Sequence, residues 1–206
     1  MDKNPSAFYG AKYLTGTCRN DRPEKKNEDN GFFYGAAKKL DDAAKKYGVS
    51  RGSYVDVGCG RGFVVRHMLN MNYDAVGVEY GPLKEIAPVV PHRVRWGDLT
   101  GTLPVPDGFA KLVSCFGVLS HIPEESVPHA LGEVNRILSR GGIVCATIQT
   151  KNCPDQAHHK TFKPRDWWEK RFEDAGFDIV FIHGNWTVEI EARKEDVHPE
   201  FRGAGW

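Results

Sequence analysis

Apolar positions along this chain change period from segment to segment. Phe33, Ala36, Ala37, Leu40, Ala43, Ala44 and Tyr47 recur at helical spacing, while Asp41 and Asp42 precede Lys45 and Lys46 by four residues on the other face. Gly48 supplies a stop, so a helix is predicted here. From Ser53 onward, short β-branched runs alternate with helical stripes. SYVDV is a strand candidate, Val64, Val65, Met68 and Leu69 form a helix face, and Asp74 to Tyr80 (DAVGVEY) is the next strand. HRVRW and KLVSCF continue the series.

A longer helix follows, with Val127, Ala130, Leu131, Val134, Ile137 and Leu138 on one face. Glu124 and Glu125 are expected in its first turn, Arg136 and Arg140 near its end, and Gly141 as its C-terminal stop. GGIVCATIQ then reads as a fully buried strand. The segment Asp166 to Ala175 predicts a last helix, opened by a capping-box-like Asp166/Glu169 pair and closed by Gly176. Trp168, Phe172 and Ala175 form its core-facing stripe, which leaves Trp167 partly exposed. DIVFIH and WTVEIEA are separated by Gly184 and Asn185 alone, the spacing of a hairpin. Strands alternating with helices and closing on a hairpin predict an α/β fold: a Rossmann-like, doubly wound, mostly parallel sheet with an antiparallel C-terminal strand.

The stretch before residue 32 is polar and charged, above all Arg19 to Asn30, and carries too few apolar residues for a core. Residues 1–31 are therefore expected to be an arm or lid, 32–192 a single-domain core, and 193–206 a loose tail. Tyr9 and Tyr13 in the arm are candidates to close over a ligand.

Composition narrows the classes. The 206 residues carry 28 basic and 27 acidic side chains, a formal charge of +1, so no strong field is available to hold a phosphate backbone, and nucleic-acid binding is not favoured. No run reaches the roughly 18 apolar residues of a membrane span, and the first ten residues lack the apolar core of a secretion signal. A cytoplasmic protein without membrane contact is expected. The five cysteines (Cys18, Cys59, Cys115, Cys145, Cys153) are scattered, with no CxxC pair, which fits reduced thiols and no zinc site. The 22 glycines exceed the usual share of about 7% and ask for a local reason.

That reason lies in VDVGCGRG, residues 55 to 62. A strand candidate runs into Gly58, Gly60 and Gly62 and then into a helix, a geometry that brings backbone and helix N-terminal amides close to a ligand. A dinucleotide fingerprint would need its third glycine at position 63, which is Phe63, so a nicotinamide cofactor is disfavoured. Glu79 ends the second strand candidate, where a carboxylate can accept from a ribose diol. Asp98 follows the third. Either carboxylate alone could be a solvated loop residue; their placement after successive strands points to one ligand.

With these segments in view, the chain resembles the class I S-adenosylmethionine-dependent methyltransferases from about Ser53 to Ile182. VDVGCGRG looks like their first motif, VGVEY their ribose-binding strand end and GDLTGTLPVPDG their adenine-side loop. SCFGVLSHIPEE, NRILSRGGIVCATI and WWEKRFEDAGF are similar to the later motifs, in order. The resemblance implies a seven-stranded sheet and S-adenosyl-L-methionine as cofactor, with S-adenosyl-L-homocysteine as product. It places Asp56, Gly58, Cys59 and Gly60 near the methionine portion, Glu79 with Tyr80 at the ribose, Asp98 and Leu99 at the adenine, and Phe116 as a wall. Lys111 and Gly81 depart from common family residues, but neither occupies an expected contact. No acidic cluster stands where metal-using relatives hold a hard cation, so no metal is expected.

Methyl transfer to an amine needs mainly positioning, whereas a hydroxyl gains more from a general base. His121 follows the fourth strand, and His158 lies after the fifth in CPDQAHHKTF, both at the ligand-binding edge; His159 is the rival to His158. Asp155-x-x-His158 with the later tryptophans resembles bacterial methyltransferases of glycans and small molecules. The expected function is methyl transfer to a hydroxyl or amine of a small-molecule or sugar-like acceptor, with His158 or His121 as base. An RNA or protein acceptor, or a non-catalytic cofactor-binding module, are the alternatives. SCFG after the fourth strand lacks the run of DNA amino-methylating enzymes, and Cys115 lacks the preceding proline of cytosine-carbon enzymes.

Overall fold

The computed structural model describes residues 31–81, 85, 87–150, 159–184 and 187–194. Its first element, α1 (Gly31–Lys46), buries Ala37, Leu40, Ala43 and Ala44, the stripe expected from the spacing. β1 (Ser53–Val57), α2 (Phe63–Asn70), β2 (Asp74–Glu79) and β3 (Val94–Trp96) follow, then β4 (Ala110–Phe116), α3 (Val127–Ile137) and β5 (Leu138–Gln149). α4 (Arg165–Asp174), β6 (Phe177–His183) and β7 (Thr187–Lys194) complete the described chain.

The seven strands form one sheet in the order β3-β2-β1-β4-β5-β7-β6. β1 pairs in parallel with both β2 and β4, so the winding reverses at β1. In such sheets the crevice outside the carboxyl ends of the strands at this reversal receives the ligand. β7 is antiparallel to β5 and to β6, as the hairpin spacing requires.

Alternation along the central strands sorts side chains to two cores. Tyr54, Ala75, Leu112 and Ile143 pack with Leu40, Ala44, Val65 and Met68 of α1 and α2. Val55, Val113, Val144 and Ile148 pack on the other face with Leu131, Val134, Trp168 and Phe172 of α3 and α4. Trp168 is fully buried, whereas Trp167 is half-buried with Arg171 stacked over its ring.

Four local expectations change. α3 ends at Ile137 rather than near Gly141, because Leu138 is already extended and pairs with Ala110. Pairing then jumps to Leu112↔Ile143, so Ser139 to Gly142 bulge out of the ladder, and Gly141, at φ +68°, serves that bulge. Glu124 and Glu125 lie in a separate 3-10 turn ahead of α3. α4 begins at Arg165 behind Pro164 with no side-chain cap, and Glu169 pairs with Arg165 at 3.0 Å instead of closing a capping box. The strand expected to end near position 192 continues through Arg193 and Lys194; Lys194 Nζ donates to the carbonyls of Asn135 and Leu138, both at 2.8 Å. Tyr9, Tyr13, Asp155 and His158 lie outside the described residues.

Candidate active site

After β1 the chain turns sharply. Gly58, Gly60 and Gly62 have φ of +73°, +54° and +77°, a left-handed series that side-chain-bearing residues adopt at a cost. Gly58 and Cys59 amides donate to the Val78 carbonyl at 2.8 and 3.2 Å, which ties the turn to β2. A Cβ at Gly58 would stand 2.3 Å from Val118 Cγ2, so the turn and the loop after β4 meet only because the residue is glycine.

Glu79 locks the other side. Its Oε2 accepts from the Gly60 amide at 2.7 Å and its Oε1 from the Gly81 amide at 2.9 Å. One carboxylate thus fixes both loops, and each oxygen keeps a lone pair for a ligand hydroxyl. Gly81, set aside at the sequence level as a departure, contributes this backbone donor. Asp98 Oδ1 accepts from Thr100 N and Thr100 Oγ1, both at 2.8 Å, shaping the loop after β3.

A cleft of about 340 Å³ opens over these strand ends, the size range of small-molecule sites. Gly58, Glu79, Tyr80, Asp98, Leu99, Phe116 and His121 all line it, joined by Val57, Val78, Val118, Ser126 and Lys160. Asp56, Cys59 and Gly60 do not reach its surface. Gly60 acts through its bond to Glu79, and Cys59 Sγ packs so close to Gly77 that a Cβ there would fall 2.4 Å away. Burial raises the Cys59 thiol pKa well above its ordinary value.

Below the cleft Asp56 is only 4% exposed. Ser114 Oγ donates to Asp56 Oδ1 at 2.5 Å, and Tyr54 OH lies 2.6 Å from Ser114 Oγ. Burial pushes the Asp56 carboxyl up to about 7; the Ser114 bond opposes this and the nearby Glu79 adds to it. Ser114 and Tyr54 gave no sign in the sequence, because each reads as one more member of a buried strand.

After β4, Leu119–His121 forms a 3-10 turn. The His121 ring meets the His159 ring edge-on at 4.3 Å. Lys160 and Thr161 amides donate to the Ser120 carbonyl at 2.8 and 3.1 Å, and Thr161 Oγ1 donates to the Ile122 carbonyl at 2.6 Å, stitching the segment after β5 against this turn. His121 therefore belongs to the cleft with Glu79 and Asp98.

The donor set fits an adenosyl ligand: carboxylates at two strand ends for hydroxyl or amino donors, apolar Val57, Val78, Leu99 and Phe116 for a ring, and a glycine cradle. Sheet order, glycine turn and acid-tipped β2 together define a class I S-adenosylmethionine-dependent methyltransferase fold. A family of proteins described as methyltransferase domains matches residues 30–182, and the chain belongs to that family. Comparison with curated proteins gives no match.

Among solved structures, a putative sarcosine dimethylglycine methyltransferase from Galdieria sulphuraria is similar at 12% identity and TM-score 0.70, over 93% of this chain and 98% of that one. The PH0226 protein of Pyrococcus horikoshii OT3 is similar at 16% identity and TM-score 0.64, over 85% and 93%. A SAM-dependent methyltransferase from Archaeoglobus fulgidus is similar at 15% identity and TM-score 0.63, over 79% and 94%. The expected enzyme class and cofactor agree with these findings. Among the described residues no helix is long and apolar enough to cross a membrane.

Proposed function

We propose that this methyltransferase acts on a hydroxyl or amine of a small-molecule or sugar-like acceptor, with His121 as the base on the acceptor side. The carrying observation is the position of His121 in the lining of the same cleft as Gly58, Glu79 and Asp98. Bound S-adenosylmethionine supplies an electrophilic methyl group on a sulfonium. Glu79 and Asp98 hold its adenosyl part, Phe116 and Val118 wall it, and the acceptor enters beside His121, Ser126 and Lys160. The imidazole accepts the acceptor's proton as the oxygen or nitrogen bonds to the methyl carbon, and the carbon–sulfur electron pair stays on sulfur. His158 is the second candidate base.

The chain's near-zero charge favours a small acceptor over a polynucleotide. The named acceptors of the Galdieria sulphuraria neighbour are small molecules too. Buried free thiols at Cys115 and Cys145 fit a reducing, cytoplasmic setting for this single catalytic domain.

Transfer of tritiated methyl from S-adenosylmethionine to four acceptor sets (sugars, small amines, RNA, protein) tests the reading. Label in a small acceptor, transferred more slowly by His121→Gln while S-adenosylhomocysteine still binds, is the expected result. Label in RNA or protein alone, or undiminished turnover by His121→Gln, would overturn it.

A further inference from the structure

We propose that Arg136, acting with Glu133, is a positioning residue for the cofactor: from outside the cleft it holds residues 98–108 in the shape that forms the cleft's adenine wall. This rests on the reading that Asp98 and Leu99 touch the cofactor. Neither Arg136 nor Glu133 lines the cleft, and Arg136 reads in the sequence only as a helix-dipole residue.

Arg136 stands in the last turn of α3, and all five N–H donors of its guanidinium are used. Nε and Nη2 bind the two oxygens of Glu133, each at 2.8 Å. Nη2 also reaches the Leu103 carbonyl at 3.1 Å, and Nη1 reaches the Val105 carbonyl at 2.9 Å and Asp107 Oδ1 at 2.5 Å. The grip is reciprocal, since the Leu103 amide donates to Glu133 Oε2 at 2.8 Å and the Gly108 amide to the Arg136 carbonyl at 2.8 Å. Leu103 is thus held at both its N–H and its C=O by one ion pair.

Two more pins fix the loop nearer the cleft. His129 Nε2 lies 3.1 Å from the Gly101 carbonyl. At Gly97 a Cβ would stand 2.5 Å from Val78 Cγ1 and 2.8 Å from Pro104 Cδ, so the loop's first residue is wedged between β2 and its own far limb. Between these pins stand Asp98, Leu99 and Thr100, the segment that lines the cleft. α3 also presents Ser126, at its N-terminus, to the cleft. One helix therefore joins both walls.

The chemistry explains the residue types. A connection without regular structure would have to be ordered when ligand binds, at an entropic cost that preorganisation removes. Only a planar fork with five fixed donors can satisfy two carbonyls and two carboxylates at once; lysine offers three donors on a point charge. Glu133 is 7% exposed, so loss of its partner leaves a buried charge.

Calorimetric titration of S-adenosylhomocysteine into wild type, Arg136→Lys, Glu133→Gln and Leu99→Ala, with amide exchange on the ligand-free proteins, tests the proposal. Binding stoichiometry reports the folded fraction, and Kd reports the affinity of that fraction. Arg136→Lys and Glu133→Gln are expected to weaken Kd about tenfold, with faster exchange confined to 99–105. If either folds with a lowered Tm yet keeps wild-type Kd and exchange, the pair is merely structural and the proposal fails. Unchanged Kd in Leu99→Ala would instead remove the cofactor-loop reading on which it rests. Glu133→Gln keeps its shape and an acceptor oxygen, so it carries the test if Arg136→Lys does not fold.

Discussion

Ser114 donates to Asp56 across the β4–β1 pairing at 2.5 Å, and the acid it holds lies directly beneath the glycine turn. Burial raises the Asp56 carboxyl to about 7, so the folded protein keeps a proton that the unfolded chain releases near pH 4. The resulting stability is fully present below about pH 4 and is lost as pH rises through about 7. Tm measured from pH 4 to 8 should decline in wild type, and Asp56→Asn, which has no charge to bury, should flatten that decline. A wild-type curve with no slope in this window would contradict the assignment.

Asp41 provides the opposite case at the other end of the sheet. Burial opposes its charge, but bonds from Arg51, Lys45 and Tyr73 prevail and hold the carboxyl at about 2. Its contribution is present above about pH 4 and lost as pH falls through about 2. Asp41→Asn should cost about 2 kcal/mol at pH 7 by urea unfolding, yet leave the S-adenosylhomocysteine affinity of the folded protein unchanged.

Gly58→Ala places a Cβ 2.3 Å from Val118 Cγ2 at a residue whose φ is +73°. The left-handed backbone alone costs roughly 1–2 kcal/mol, and Val118, a lining residue, must move. S-adenosylhomocysteine affinity should fall at least about tenfold by calorimetry, which corresponds to 1.4 kcal/mol. The same substitution at Gly31, where an added Cβ meets nothing within 4 Å, should leave affinity intact.

His121→Gln should slow transfer to a hydroxyl acceptor by about 10²–10⁴-fold while cofactor affinity persists. For an amine acceptor the fall should be smaller, because positioning then carries more of the rate. Steady-state rates on the two acceptor types from one protein preparation check both statements.

The periodic parts of this fold were legible from sequence because each buried face repeats along a single segment. The helix face of Ala37, Leu40 and Ala44, the buried strand Ile143 to Ile148 and the hairpin around Gly184 were expected where the structure has them. The end of α3 was not, since Arg136, Arg140 and Gly141 imitate a helix C-terminus, whereas the pairing of Ala110 with Leu138 decides the matter from 28 residues away. Glycine spacing and carboxylates after strands pointed to Gly58, Glu79 and Asp98, which line one cleft, because those motifs are local. Ser114 under Asp56, the Gly81 amide on Glu79 and the Arg136 fork were hidden, since hydrogen bonds between distant segments leave no period in the sequence. His121 was legible by its position after β4, but its contact with His159 was not.

The central claim is that the carboxylate bridging the Gly60 and Gly81 amides is the ribose anchor of an S-adenosylmethionine site. Calorimetric titration of S-adenosylhomocysteine into wild type and Glu79→Gln tests it most directly. Saturable one-to-one binding by wild type is expected, weakened at least about tenfold in Glu79→Gln, where an amide NH2 must face a backbone N–H. No binding by wild type, or equal affinity in the two proteins, would contradict the claim.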